Sequence, residues 1–134
     1  YCLMHNRDKI TEEMDADLFI GQMKEDAKRA LDAGIKKERI ILDPGVGFAK
    51  TQEQNLMTIA NLDRLKALGY PVLLGTSRKS VIGYVLDVPT DKRLVGTLAT
   101  SAVAVQTGCM FVRVHDVKEN VELIQMLERI RESR

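Results

Sequence analysis

Apolar residues are arranged along this 134-residue chain in two alternating rhythms. Short, nearly unbroken runs stand at 1–4, 39–43, 71–74 and 111–114, and between them apolar positions recur every three or four residues. Apolar runs without polar alternation read as parallel strands covered on both faces, and the three-and-four spacing reads as helices with one buried stripe. The first helix is carried by Ile20, Met23, Ala27, Ala30 and Leu31 and is stopped by Gly34. A capping box of Thr51 and Gln54 opens the second, with Leu56, Ile59, Ala60, Leu62 and Leu65 on its apolar side and Gly69 at its end. Residues 77–86 form a loop that winds into a short helical turn. Thr90 then caps a helix to about 107, small-sided at Ala99, Ala102 and Ala104 and ended by Gly108. Asp116 and Glu119 form a second capping box, for a helix bearing Val121, Ile124, Leu127 and Ile130.

Strand and helix thus alternate through four βα units, each about 30 to 40 residues long, the size of a strand with its crossover helix. Two α/β architectures fit: a small, open, doubly wound sheet, or half of a (β/α)8 barrel. The chain opens in mid-strand at Tyr1, without an initiator methionine, and four is half of eight. The barrel is therefore the expected fold, with 1–134 as one partial barrel domain whose N-terminal half lies elsewhere.

Composition narrows the function classes. Hydrophobic residues make up 45% of the chain, enough for one core, and 20 basic against 19 acidic residues leave a formal charge of +1. That balance offers no footprint for nucleic acid, so any anion binding has to be local. Cys2 and Cys109 read as small buried hydrophobes of a reducing compartment, with no metal-ligand spacing. No apolar run reaches the roughly 18 residues of a membrane span, and the expected setting is cytoplasmic.

In either architecture ligands sit at the carboxyl ends of the strands, and the polar residues of this chain collect there. His5 and Asn6 follow the first strand, and Asp43 ends the second. The third is followed by Gly75-Thr76-Ser77-Arg78-Lys79-Ser80, where backbone N–H groups, hydroxyls and cations meet at a helix start. Arg113 and His115, two apart on the fourth strand, project from one face and can share an anion. A carboxylate at the end of a buried strand, as at Asp43, needs donors from a ligand or loop.

These residues carry a resemblance. Leu3-Met4-His5, Asp43-Pro44-Gly45-Val46-Gly47-Phe48-Ala49-Lys50, Gly75 through Ser80 with Ile82-Gly83, Arg93 with Gly96-Thr97-Leu98-Ala99, and Val112-Arg113-Val114-His115-Asp116-Val117 resemble, in order and spacing, the dihydropteroate synthase family. The resemblance covers essentially the whole chain and implies strands five to eight of that family's barrel. It further implies a transferase of folate biosynthesis that condenses a dihydropterin pyrophosphate with p-aminobenzoate, with Mg2+ as cofactor, a homodimeric assembly and sulfonamides as competitors for the p-aminobenzoate pocket.

By the same resemblance Asp43 and Lys79 bind the pterin, and Met4 lines its pocket. Ser80 holds the p-aminobenzoate carboxylate, Phe48 joins that pocket, and Arg113 with His115 holds the pyrophosphate. Lys79, Arg113 and His115 are the catalytic candidates. The metal-binding Asn and two further pterin ligands of the family match nothing in this chain, so no metal ligand is expected in it, and the chain by itself is expected to be inactive. Ser77, Arg78, Arg93, His5 and Asn6 are left without an assigned role. Two other readings compete: a pterin-dependent methyltransferase, which has no need of the Ser-Arg-Lys-Ser loop or the Arg113 and His115 pair, and a barrel half that serves only as an interaction module.

Overall fold

Four short parallel strands lie side by side in the order in which the chain makes them. The computed structural model describes residues 1–134. Strand β1 (Cys2–Met4) pairs with β2 (Ile41–Asp43), setting Met4 opposite Asp43. Strand β3 (Leu73–Leu74) pairs with β4 (Phe111–Val112), setting Leu74 opposite Val112. A parallel bridge between Leu42 and Val72, with the Leu42 N–H donating to the Pro71 carbonyl at 2.9 Å, joins the two pairs. Every crossover leads to the next neighbour. A doubly wound sheet reverses its order at a switch point, and none occurs here; sequential order is that of a (β/α)8 barrel.

The connecting helices are α1 (Ala16–Asp32), α2 (Gln52–Ala60), α3 (Leu62–Lys66), α4 (Ser80–Leu86), α5 (Leu94–Thr107) and α6 (Val117–Glu132). Alternation along each strand sends Leu3, Leu42, Val72, Leu74 and Val112 toward them. Those side chains meet Phe19 and Met23 of α1, Ile59, Leu62 and Leu65 of α2 and α3, and Val81 and Ala104 of α4 and α5 in one core. The opposite face of the sheet is uncovered: Cys2 and Phe111 are exposed, Ile41 and Leu73 half-buried. The strand runs are apolar on both faces, as expected, but this chain covers only one. Cys2 is consequently an exposed thiol, contrary to its expected burial, and Cys109 is half-buried.

The capping box of Thr51 and Gln54 forms as read, at 3.1 and 3.0 Å. Three expectations fail. The helix begun there breaks at Asn61, whose side-chain amide donates to the Met57 carbonyl at 2.8 Å and competes with the helical ladder. Thr90 caps nothing: it opens a 3-10 turn at Thr90–Lys92, and α5 starts only after Arg93. Asp116 precedes α6 but makes no cap hydrogen bond, because its carboxylate is taken by Arg78.

Candidate active site

At the end of β2 the chain turns sharply. The Gly45 N–H donates to Asp43 Oδ1 at 2.8 Å, closing a small side-chain-to-backbone turn. Gly45 has φ +69°, and a Cβ there would stand 1.9 Å from the His5 carbonyl oxygen, so this loop lies directly against the end of β1. The loop is wrapped round an ammonium group. Lys50, only 6% exposed, donates from Nζ to the carbonyls of Gly45 at 2.9 Å, Phe48 at 3.0 Å and, more distantly, His5 at 3.4 Å. Burial lowers the Lys50 pKa to about 8, with Asp43 opposing the shift and Arg7 and Lys79 adding to it. From the α2 side, Asn55 Oδ1 accepts the Gly47 N–H at 2.8 Å.

The loop after β3 is held more elaborately. Its centre is Arg78 at φ +57°, a left-handed conformation that costs a non-glycine residue about 1 kcal/mol. Several partners hold it there. Its N–H donates to Thr97 Oγ1 at 3.1 Å, its carbonyl accepts from Arg93 Nη1 at 3.0 Å, and its guanidinium grips Asp116 at 2.7 and 3.2 Å. That grip holds the Asp116 carboxyl below the usual carboxylate range. Arg93 also donates to the Val88 carbonyl at 3.2 Å, so one guanidinium ties both ends of α4. It lies so close to Gly83 that a Cβ there would be 2.2 Å from Nη2. With Arg78 fixed outward, its neighbours Ser77 and Lys79 face the strand ends.

Lys79 Nζ donates to the Val46 carbonyl at 2.6 Å and stands 5.1 Å from the centroid of the Phe48 ring. Burial lowers its pKa, partly offset by Asp43. At the end of β4, the Arg113 N–H donates to the Leu74 carbonyl at 2.9 Å, and its guanidinium has no ion-pair partner in the chain. His115 Nδ1 is 2.7 Å from Ser77 Oγ, and the same oxygen accepts the His115 backbone N–H at 3.1 Å.

These side chains enclose one open cavity of about 520 Å³, lined by Met4, Asp43, Phe48, Gly75, Ser77, Lys79, Arg113, Val114 and His115. Six of the seven residues assigned a role by the resemblance meet there. Ser80 does not: it is exposed at the start of α4, and its hydroxyl accepts from Gln52 Nε2 at 3.2 Å. His5 is 1% exposed, bonded through Nε2 to Gln22 Oε1 at 2.8 Å and edge-on to Phe19 at 5.1 Å, a core residue rather than a site residue. Asn6 is exposed, with Oδ1 accepting the Arg7 N–H at 2.9 Å. A larger hollow of about 770 Å³ runs along the outside of α1, where Asp17, Glu25 and Asp26 face Arg7, Lys24 and Arg29 and leave no net charge to collect a ligand.

Asp43 is the cavity's single carboxylate. Burial raises its pKa, against the lowering influence of the Gly45 N–H and of Lys79, Lys50 and Arg113. A half-buried acceptor at the end of β2, with Arg113 and His115 at the end of β4, suits a ligand that carries N–H donors on one part and negative charge on another. Ser77 and Arg93, which the sequence left without a role, and Lys50, which it did not single out, all help to build this site. Lys50 had a readable signal, being the one cation that closes a glycine-rich apolar loop; Arg93 had none, since its partners lie in a loop and beyond a helix.

Parallel strands in barrel order with a mixed acid and cation cavity at their carboxyl ends mark a ligand-binding α/β protein of the barrel type. Residues 1–115 match the family described as pterin binding enzyme, and the chain belongs to that family. It is 51% identical over 130 residues to the dihydropteroate synthase of Clostridium beijerinckii, covering 96% of this chain and 48% of that protein. The crystal structure of the Clostridium difficile dihydropteroate synthase in the presence of pteroic acid superposes with a TM-score of 0.86 at 47% identity, over 96% of this chain and 49% of that one. For the Yersinia pestis enzyme with a pterine-sulfa conjugate the TM-score is 0.90 at 36% identity, over 98% and 51%. The chain spans about half the length of the relatives it matches.

Proposed function

We propose that these residues are strands five to eight of a (β/α)8 barrel and form part of a dihydropteroate synthase. The observation that carries this reading is the meeting of Asp43, Lys79, Arg113 and His115 in one cavity. Asp43, ionised, accepts two parallel hydrogen bonds from the amino group and ring N–H of a dihydropterin. Lys79 lies across the ring, with its ammonium shared between the Val46 carbonyl and the Phe48 face. Arg113 and His115 bind the pyrophosphate that the pterin methylene carries. The amine of p-aminobenzoate attacks that methylene, the carbon–oxygen bond to pyrophosphate breaks, and the new secondary amine loses its proton to solvent. Negative charge grows on the departing pyrophosphate, where Arg113 and His115 stand, and stabilising that charge is the chain's chemical contribution.

The resemblance also implies Mg2+, a homodimer and a cytoplasmic setting. The cavity's donor set does not fit a hard dication: one carboxylate, already bonded to the Gly45 N–H, stands beside two cations, and no three carboxylate, imidazole or thiol groups cluster anywhere in the chain. No step here passes through the metal. Exposed apolar residues on α6, among them Val117, Val121 and Ile130, support pairing of two copies through the last helices. No helix is long and apolar enough to cross a membrane. Unbonded cysteines support a reducing compartment.

Calorimetry with the full-length protein tests the reading. The dihydropterin pyrophosphate should bind more tightly than the dihydropterin alcohol, and p-aminobenzoate should then be consumed with release of pyrophosphate. Equal affinity for the two pterins would favour a pterin-dependent methyltransferase, which has no use for the free Arg113 guanidinium. Binding of neither would favour an interaction module. The 134-residue chain by itself, with one sheet face bare, is expected to show no turnover, and dihydropteroate formation by it would overturn that part.

A further inference from the structure

Ser77 lines the cavity beside His115, and the number of its hydrogen bonds decides where the imidazole proton sits. A serine hydroxyl has one proton to give and two lone pairs with which to accept. Ser77 Oγ accepts the His115 backbone N–H at 3.1 Å and lies 2.7 Å from Nδ1 of the same residue. The residue is only 7% exposed, and no other acceptor in the chain takes its proton. If Nδ1 were protonated, Oγ would accept twice and its own O–H would be left without a partner in the chain, a costly arrangement. With Nδ1 as acceptor, Ser77 Oγ and His115 Nδ1 are both satisfied. The proton of neutral His115 then resides on Nε2, which has no partner in the chain, on a ring that lines the cavity beside Arg113.

We infer that Ser77 is a positioning residue that locks His115 in the Nε2–H tautomer, so that the neutral imidazole presents a hydrogen-bond donor to the anionic end of the ligand. Backbone N–H and ring nitrogen of one histidine are tied to the same oxygen, so the lock also opposes a ring flip. In the wrong tautomer Nε2 would turn a lone pair on the anion and repel it. The identity of that anion, the leaving pyrophosphate, rests on the function proposed above; the tautomer does not.

The test uses the full-length protein labelled with 15N at histidine, with His115 assigned by the loss of its signals in His115→Gln. Long-range proton–nitrogen correlation of the neutral ring is expected to show Nδ1 as the acceptor nitrogen and Nε2 as the protonated one. Ser77→Ala should mix the tautomers and lower kcat/KM for the pterin pyrophosphate roughly tenfold, the scale of one lost hydrogen bond, while leaving affinity for the pterin alcohol unchanged. Ser77→Thr, which keeps the hydroxyl, should restore both. A proton on Nδ1 in the unaltered protein overturns the inference even if Ser77→Ala fails to fold, and so does a Ser77→Ala protein with unchanged tautomer and turnover. An Nε2–H ring in a protein that does not turn over the pterin pyrophosphate upholds the lock and removes the functional reading instead.

Discussion

Replacing Lys50 by Met separates two effects that usually arrive together. Methionine keeps most of the length and apolar bulk but brings no N–H, so the Gly45 and Phe48 carbonyls lose their donor at every pH. Leaving buried acceptors unpaired costs about 1–3 kcal/mol, and this part of the loss is constant. The second effect depends on pH. The Lys50 pKa falls from 10.5 when exposed to about 8 in the fold. Between those values the unfolded chain holds a proton that the folded chain has released, so the stability of the unaltered protein rises with pH, fully gained above 10.5 and lost as pH falls through about 8. From about pH 7 to about pH 9 that gain is about 1 kcal/mol, and Lys50→Met lacks it. Urea unfolding of both proteins at several pH values reads constant and slope separately: the curves should start apart and diverge as pH rises. Parallel curves up to pH 9 would refute the idea that the fold holds this ammonium at the expense of its solvation.

Asp43→Asn removes the charged acceptor proposed for the pterin and should weaken its binding by about 1.5–3 kcal/mol in calorimetry, with the fold retained. Because burial raises the Asp43 pKa, pterin affinity should be present at neutral pH and fall as the carboxyl is protonated, with a midpoint above the ordinary carboxyl value of about 3.9; a fluorescence titration with its midpoint at or below that value contradicts this. Gly45→Ala drives a Cβ to within 1.9 Å of the His5 carbonyl and imposes φ +69° on an L side chain, so a lowered melting temperature with a displaced loop is expected, and an unchanged one would show that the loop can retreat freely. Arg93→Met releases the Arg78 carbonyl and relaxes a strained centre; kcat should fall roughly ten- to hundredfold from misplacement of Lys79 and Ser77. Full turnover by a folded Arg93→Met protein would exclude this positioning role.

Strand-end chemistry was the most legible part of this sequence. Asp43 and Arg113 could be placed because an apolar run that ends in a charge, in a parallel α/β pattern, puts the charge at the ligand end whatever the rest of the chain does. Thr51 and Gln54 were legible because a capping box is local. The Asp116 cap failed because of a partner far along the chain. Asp116 has the residue type and spacing of a cap, yet Arg78, 38 residues earlier, offers a doubly bonded partner that outcompetes a helix N–H. Ser80 reads as part of the site because its loop does; in the structure it stands exposed at the start of α4, while Ser77 and Lys79, either side of the left-handed turn at Arg78, line the cavity. A turn of that hand on an arginine is invisible without the surroundings that enforce it. The barrel order of the strands rested on counting units, and the Leu42 to Val72 bridge now supplies the physical link.

Gly75 sits between the two working ends of the cavity, one residue beyond β3 and beside Arg113, and it has no left-handed turn to justify a glycine. A Cβ there would meet only the Arg113 Cβ, at an ordinary 3.9 Å. The fold therefore tolerates a side chain at this position, and its absence serves as a thickness gauge. Between the strand ends that carry Asp43 and Arg113, bare backbone leaves a slot in the cavity wall. Gly75→Ala and then Gly75→Val should leave melting temperature nearly untouched while narrowing that slot by successive methyl groups, so ring-bearing ligands are lost in order of their thickness and the free pyrophosphate last.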